Sequence, residues 1–236
     1  MNQITVNTAL EIASHEALVR EAYKDSVGVW TWSIGITNAS GHSVLRYISK
    51  PQTIQHCLEI FIWVLENKYA PAVRHAFRGH DLTEAQFAAA LSFHYNTGAI
   101  NRASWVKKFK AGQIAGAKKA FMSWRKPPEI IPRRKKERDL FFNGQWSNDG
   151  KITVYPVTSS KHPDFRHGKR VDVKKDLEAL LNDQKPVPEQ PKADYIPVTP
   201  DNSKPASKAG PIVVVIITAI AGMIAGGWDW IVSIFN

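Results

Sequence analysis

The stretch Ser14-His-Glu-Ala-Leu-Val-Arg-Glu-Ala-Tyr-Lys-Asp-Ser-Val-Gly-Val-Trp-Thr-Trp-Ser-Ile-Gly-Ile-Thr37 decides how the rest of the chain is read. It holds two carboxylates, Glu16 and Asp25, followed by an alternating segment from Val29 to Thr37. One helix running through both acids would turn about 900° between them and leave them on opposite faces roughly 13.5 Å apart. They can act together only if the helix stops and the chain turns back. Lys24-Asp-Ser-Val-Gly28 is turn chemistry, with Gly28 free to take a positive φ.

After Gly28 the period of two predicts a strand. Trp30, Trp32, Ile34 and Ile36 share one face, which is expected to be core. Val29, Thr31, Ser33, Gly35 and Thr37 share the other, small and hydroxyl-rich, where a polar ligand can approach the backbone. A helix ending in Glu16, a turn carrying Asp25 and a strand offering threonine hydroxyls can form a cleft faced by two acids. Glycoside hydrolysis needs such a pair: one carboxyl protonates the leaving oxygen and the other activates water or attacks the sugar.

The pattern Glu-x6-Tyr-x-Asp-x2-Gly-x2-Thr, with Glu16, Asp25 and Thr31, resembles the phage-type lysozymes used as endolysins. Two further blocks carry the resemblance, Ala89-Ala-Leu-Ser-Phe-His-Tyr-Asn-Thr-Gly98 and Ile131-Pro-Arg-Arg-Lys-Lys-Glu-Arg-Asp-Leu-Phe-Phe142, so that it covers roughly residues 5 to 146. The strand departs from that family's Thr-x-Gly-x-Gly-His, with Ser33 for the first glycine and Ile36 for the histidine. The resemblance implies a muramidase that cleaves the β-1,4 bond between N-acetylmuramic acid and N-acetylglucosamine with inversion. It implies Glu16 as general acid, Asp25 as an ionised partner and Thr31 as a water-positioning hydroxyl, with Thr37 and Tyr95 touching saccharide. A general acid at neutral pH must have its pKa raised by burial.

A net charge of +10 and a pI near 9.7 favour an anionic partner such as a bacterial envelope, a membrane surface or nucleic acid. No recognition motif supports nucleic acid. The lone Cys57 excludes an intrachain disulfide and is expected to be a buried small hydrophobe. No cofactor or metal is expected: His15-Glu16 would need a histidine at position 19 for a zinc-protease motif, and Val19 stands there. The amino terminus lacks the basic and apolar regions of a secretory signal. The run Arg133-Arg-Lys-Lys-x-Arg138 reads as a solvated helix face, or else as a contact for anionic wall polymer or lipid.

The expected architecture is α+β and lysozyme-like, a small sheet lobe beside a mostly helical lobe. Thr8-x-x-Glu11 reads as a capping box opening a first helix that ends near Tyr23. A short strand is expected within His42 to Ser49, and a long amphipathic helix from Thr53 to Tyr69 that bends or restarts at Pro71. Thr83-x-x-Gln86 opens a helix to Gly98; helices over Ala103 to Ala111, Ile114 to Trp124 and Ile131 to Phe142 follow. The catalytic domain is placed at 1–150. An extension at 151–181 carries a strand, Lys151 to Val157, and a helix, Val171 to Leu181, expected to pack on the enzyme lobe.

Residues 182–209 change to Pro, Lys, Asp, Ser and Gln, a composition expected to form an extended linker. The stretch 210–236 is then nearly all apolar as far as Gly227, with Trp228 and Trp230 where an interfacial anchor belongs, and is expected to be a transmembrane tail. Lys185, Lys192, Lys204 and Lys208 precede it and no Lys or Arg follows. That bias keeps the amino-terminal domain on the cytoplasmic side of the host inner membrane. The partners expected are peptidoglycan and that membrane; whether a separate holin is needed stays open. Two rival functions are a lytic transglycosylase, which needs one acid only, and a membrane-perturbing lysis protein with a wall-binding head.

Overall fold

In the computed structural model residues 3–182 are described, and the linker and the apolar tail lie outside them. The first helix, α1, is Val6–Ser14. Its cap is Thr5, whose Oγ1 accepts the Thr8 amide at 3.1 Å, so the expected box at Thr8 is displaced by one turn. The chain then turns through His15 and Glu16 into a strand, β1, Ala17–Lys24, where the sequence pointed to continuing helix. The cause of the misreading is a bulge. Between Val19 and Tyr23 the register shifts, so that four steps of β1 lie against two steps of the next strand, Thr31 to Ser33. The buried residues consequently fall in pairs, Leu18-Val19 and Ala22-Tyr23, at the four-residue spacing of a helix.

Gly28 takes φ +82° in the turn that follows, as its position requires. The alternating segment folds into two strands, β2 Trp30–Ser33 and β3 Ile36–Thr37. Ser33 at φ +56° and Gly35 at φ +71° make the reversal. Thr31 pairs with Thr37, and Trp32 with Ile36. The expected strand at His42 to Ser49 is replaced by a 3-10 turn, Leu45–Tyr47. There Tyr47 stacks on Trp32 at 3.9 Å between ring centroids and buries apolar area without needing a sheet partner.

The long helix begins at its Thr53 cap as α2, Ile54–Val64, passes through a π-helical stretch, Leu65–Tyr69, and continues as α3, Ala70–Ala76. Its irregular turn falls just before Pro71, which lacks an amide hydrogen and adjusts the ladder there. The Thr83 capping box opens α4, Glu84–Thr97, which Gly98 ends at φ +61°. Two short helices, α5 Ser104–Lys110 and α6 Ile114–Phe121, pack on each other before α7, Ile131–Asn143. Phe93, Trp105, Phe121 and Phe141 interlock at the centre of the helical lobe. Cys57 is buried in the core.

The 151–181 segment completes the sheet. Strand β4, Lys151–Tyr155, runs parallel to β1, and β5, Lys169–Asp172, runs antiparallel to β4, giving the order β3-β2-β1-β4-β5. The last helix, α8, is Lys174–Asn182 and begins later than expected because Lys169 to Asp172 is strand. Val173 and Leu177 are buried in the same core as α1.

Glu11 fastens this segment. Fully buried on α1, its carboxylate accepts the amides of Ser147 and Asn148, both at 3.0 Å, together with the Ser147 hydroxyl and the Asn148 side-chain amide. Burial pushes its pKa up, but these bonds and His15 outweigh burial and hold it at about 2. A carboxylate lowered on folding stabilises the fold above its ordinary value and loses that contribution as pH falls from about 4.5 towards 2. Glu11→Gln is therefore expected to lower stability at pH 7 by on the order of 3 kcal/mol, with the gap to wild type closing in acid. Urea unfolding at pH 7 and pH 3 checks this.

Candidate active site

Glu16 sits at the helix-to-strand junction with its amide donating to Ala13 O at 3.1 Å, a last helical bond that fixes the direction of its side chain. That side chain is 1 % exposed and accepts a hydrogen bond from Nη1 of Arg133 on α7. Arg133 is itself buried; Nε donates to Glu137 Oε1 at 2.8 Å, and Nη2 donates to the Ser92 carbonyl and hydroxyl on α4, each at 3.2 Å. Arg134 binds the other oxygen of Glu137 and also donates to Trp124 O and Asn96 Oδ1. The run read as a solvated face thus turns its first two arginines inward. Only Lys135, Lys136 and Arg138 of the run remain outside the core.

Burial raises the pKa of Glu16 to about 7, against the opposing pull of the Arg133 charge and hydrogen bond and with a smaller push from Glu137. Glu137 is lowered despite burial, because two arginines and the Ser92 hydroxyl hold its charged form. The two buried carboxyls are therefore pushed apart, Glu16 towards keeping its proton and Glu137 towards its charged form.

Asp25 lies at the far end of β1 and is also buried. Its Oδ1 accepts the amides of Val27 at 3.0 Å and Val29 at 2.8 Å, an Asx turn that holds the carboxylate to its own loop. Tyr23 connects the two ends of the strand. Its hydroxyl is pushed above the ordinary tyrosine range first by burial and then by the charges of Glu16 and Asp25, so both acids bear on one ring. Thr31 is paired across the sheet with Tyr23 and donates its hydroxyl to Val29 O at 3.2 Å, beside the Asp25 loop. Thr37, its partner on β3, has its amide on Ser40 Oγ at 3.3 Å.

Tyr95 is placed differently from expectation. It is buried on α4, donates its hydroxyl to Ile34 O and packs on Tyr69, so its ring faces protein and not a groove. It fixes the β2–β3 reversal over the acid: a Cβ at Gly35 would lie 3.8 Å from Glu16 Oε2 and from the Tyr95 hydroxyl. The space admits a methyl group, but φ +71° does not suit one. Gly35→Ala is expected to cost about 1–2 kcal/mol through that backbone strain and to leave Glu16 in place, as thermal unfolding and activity together would report.

Sequence reasoning missed Arg133, Ser92 and Glu137. A faint signal existed: Arg133 and Glu137 stand four apart on α7, a spacing that places opposite charges on one face.

A small sheet beside a helical lobe, with a buried acid held where α1, β1 and α7 meet, defines a lysozyme-like fold. The endolysin of Escherichia coli O157:H7 phage FAHEc1 has this fold, with a TM-score of 0.56 at 24 % identity over 62 % of this chain and 97 % of that one. The phage lysozyme profile matches residues 13–137, more than half of the chain, and the protein belongs to that family. The endolysin of Salmonella phage P22 is 28 % identical over 152 residues, covering 61 % of this chain and all of the relative. The endolysin of Bacillus phage B103 is 34 % identical over 86 residues, 34 % of this chain and only 33 % of that longer relative. The protein is accordingly a glycosidase of the lysozyme type, a peptidoglycan-hydrolysing endolysin.

Proposed function

We propose that Glu16 is the general acid of this endolysin and that Asp25, with Thr31, positions the attacking water. The observation that carries the reading is Glu16, buried where α1 meets β1, with burial pushing its pKa up to about 7, so that a large share of the side chain still carries a proton near neutral pH. When that proton passes to the leaving glycosidic oxygen, the carboxylate left behind forms against Arg133, already aimed at it. The arginine thus favours the charge that develops during the reaction. Asp25 supplies the second carboxylate, and the Thr31 hydroxyl beside its loop offers a hydrogen-bond partner for water.

The family points to inversion. Proton NMR of fresh digests tests it: the first reducing ends are expected as the α-anomer, and β-anomer at the earliest times would contradict inversion. Mass spectrometry of the same digests separates the hydrolase from a transglycosylase, since addition of water leaves reducing N-acetylmuramic acid and transglycosylation leaves an anhydro end.

The second part of the reading concerns reach. The apolar stretch 210–236 and the lysines before it support a tail anchored in the inner membrane, with the enzyme domain on the cytoplasmic side until the membrane is breached. The Pro- and Lys-rich segment 182–209 would then be the tether, and residues 1–150 the catalytic domain, with the 151–181 extension built into its sheet. Protease added to intact spheroplasts is expected to leave the domain uncut; digestion from outside would sink this topology.

A further inference from the structure

Strand β1 is flanked by Glu16 at one end and Asp25 at the other, and the segment after the family region grips it at both. Residues 145–173 lie beyond the matched 13–137. Near Glu16, Glu11 holds Ser147 and Asn148, while Ala17, Leu18 and Val19 pair in parallel with Thr153, Val154 and Tyr155. Near Asp25 the chain returns as a small hairpin, closed by a bridge between Val157 and Pro163 and by Thr158 N donating to His162 O at 2.8 Å.

The hairpin tip uses both backbone groups of the residue next to Asp25. The Lys24 amide donates to Lys161 O at 2.7 Å, and His162 Nδ1 donates to the Lys24 carbonyl at 3.1 Å. The tip is braced in turn, because Lys161 Nζ donates to Ser49 Oγ at 2.8 Å. Lys161 and Ser49 both hold left-handed backbones, φ +64° and +57°, that non-glycine residues adopt only when their surroundings impose it. A bulged strand needs such fixing. With two extra residues between Val19 and Tyr23, β1 is not held to one length by its pairing with β2 alone.

We propose that the 157–163 hairpin is a clamp that sets the position of Asp25 relative to Glu16, with His162 as a positioning residue. It acts through Lys24 and touches neither substrate nor reacting atoms. The proposal rests on the muramidase reading for its catalytic consequence, but its structural half stands on the bonds to Lys24. Misplacing a catalytic group by about 1 Å can cost roughly 10²-fold in rate, so a smaller displacement of Asp25 is expected to cost less than that.

The test uses the full chain with His162→Ala and His162→Asn, the latter keeping a side-chain donor for Lys24 O. In His162→Ala, kcat is expected to fall about fivefold with KM within about twofold, and the amides of Val27 and Val29, bound to Asp25, are expected to exchange about tenfold faster. His162→Asn is expected to restore most of both. Unchanged exchange in His162→Ala overturns the clamp. Faster exchange with unchanged kcat, in an enzyme whose wild type turns over, overturns its catalytic role. A wild type that does not cleave peptidoglycan, with faster exchange in His162→Ala, refutes the muramidase reading and the clamp's role in turnover, and supports only the structural half. Loss from both alanine and asparagine variants alike would also refute the bond to Lys24 as the cause.

Discussion

Glu16→Gln is expected to lower peptidoglycan hydrolysis by about 10³-fold or more, in the range that removal of a general acid produces, with the fold retained. Glutamine keeps the shape of the side chain and can still accept from Arg133, so the loss would report chemistry and not collapse. The same variant has a signature in stability. A carboxyl whose pKa is raised on folding, here to about 7, binds its proton more tightly in the folded chain. Its presence makes stability decline as pH rises from about 4.5 to 7. That slope is expected to be absent in Glu16→Gln, leaving the variant relatively better placed at pH 8 than at pH 5. Turbidity loss of a wall suspension measures the first effect, and urea unfolding at the two pH values the second.

Glu137→Ala is expected to be the most damaging change outside the acid itself. Glu137 is the anion shared by Arg133 and Arg134, all three buried, with Ser92 donating to it at 2.6 Å. Removing it leaves two guanidinium groups without their common counter-charge inside the protein, a loss of about 3–5 kcal/mol for a broken buried pair. A second consequence is specific to this arrangement. The Glu137 charge helps to raise the Glu16 pKa, and without it Glu16 is the one carboxyl left against Arg133. The alkaline limb of activity is then expected to move to lower pH. Unfolding by urea and the pH–rate profile of the surviving enzyme report the two effects separately.

The helices of the larger lobe were legible because their ends are written in short range. Thr53 and Thr83 cap the helices that follow them, and Gly98 and Gly144 close theirs in the left-handed conformation. The turn after Asp25 was legible because Gly28, which takes φ +82° there, had a physical reason to stand in it. β1 was not, since a bulge gave a strand the spacing of a helix, and the signal that separates them lies in a partner strand. The reversal at Ser33 to Gly35 was hidden for a related reason: alternation continues unbroken through a tight hairpin. Arg133 and Arg134 read as solvent-facing because charge runs on helices generally are. Beyond the local spacing to Glu137, what buries them is the approach of Glu16 and Ser92 from distant parts of the chain, and that long-range meeting leaves no local trace. Tyr95 shows the converse case, a residue whose type suits sugar stacking but whose hydroxyl is committed to Ile34.

The extension is the part of the chain whose role changed most. Read as an appendage, it turns out to supply two strands of the sheet and to hold the residues flanking both acids, from Glu11 to Lys24.

The proposed acid catalysis depends above all on Glu16 keeping a proton near neutral pH. Titration of its side-chain carboxyl by carbon-13 NMR, with Glu16→Gln to assign the resonance, addresses that claim directly. A midpoint near 7, coincident with the alkaline limb of kcat, is the result expected. A midpoint in the ordinary carboxylate range, with activity undiminished well above it, would contradict the assignment of Glu16 as the general acid.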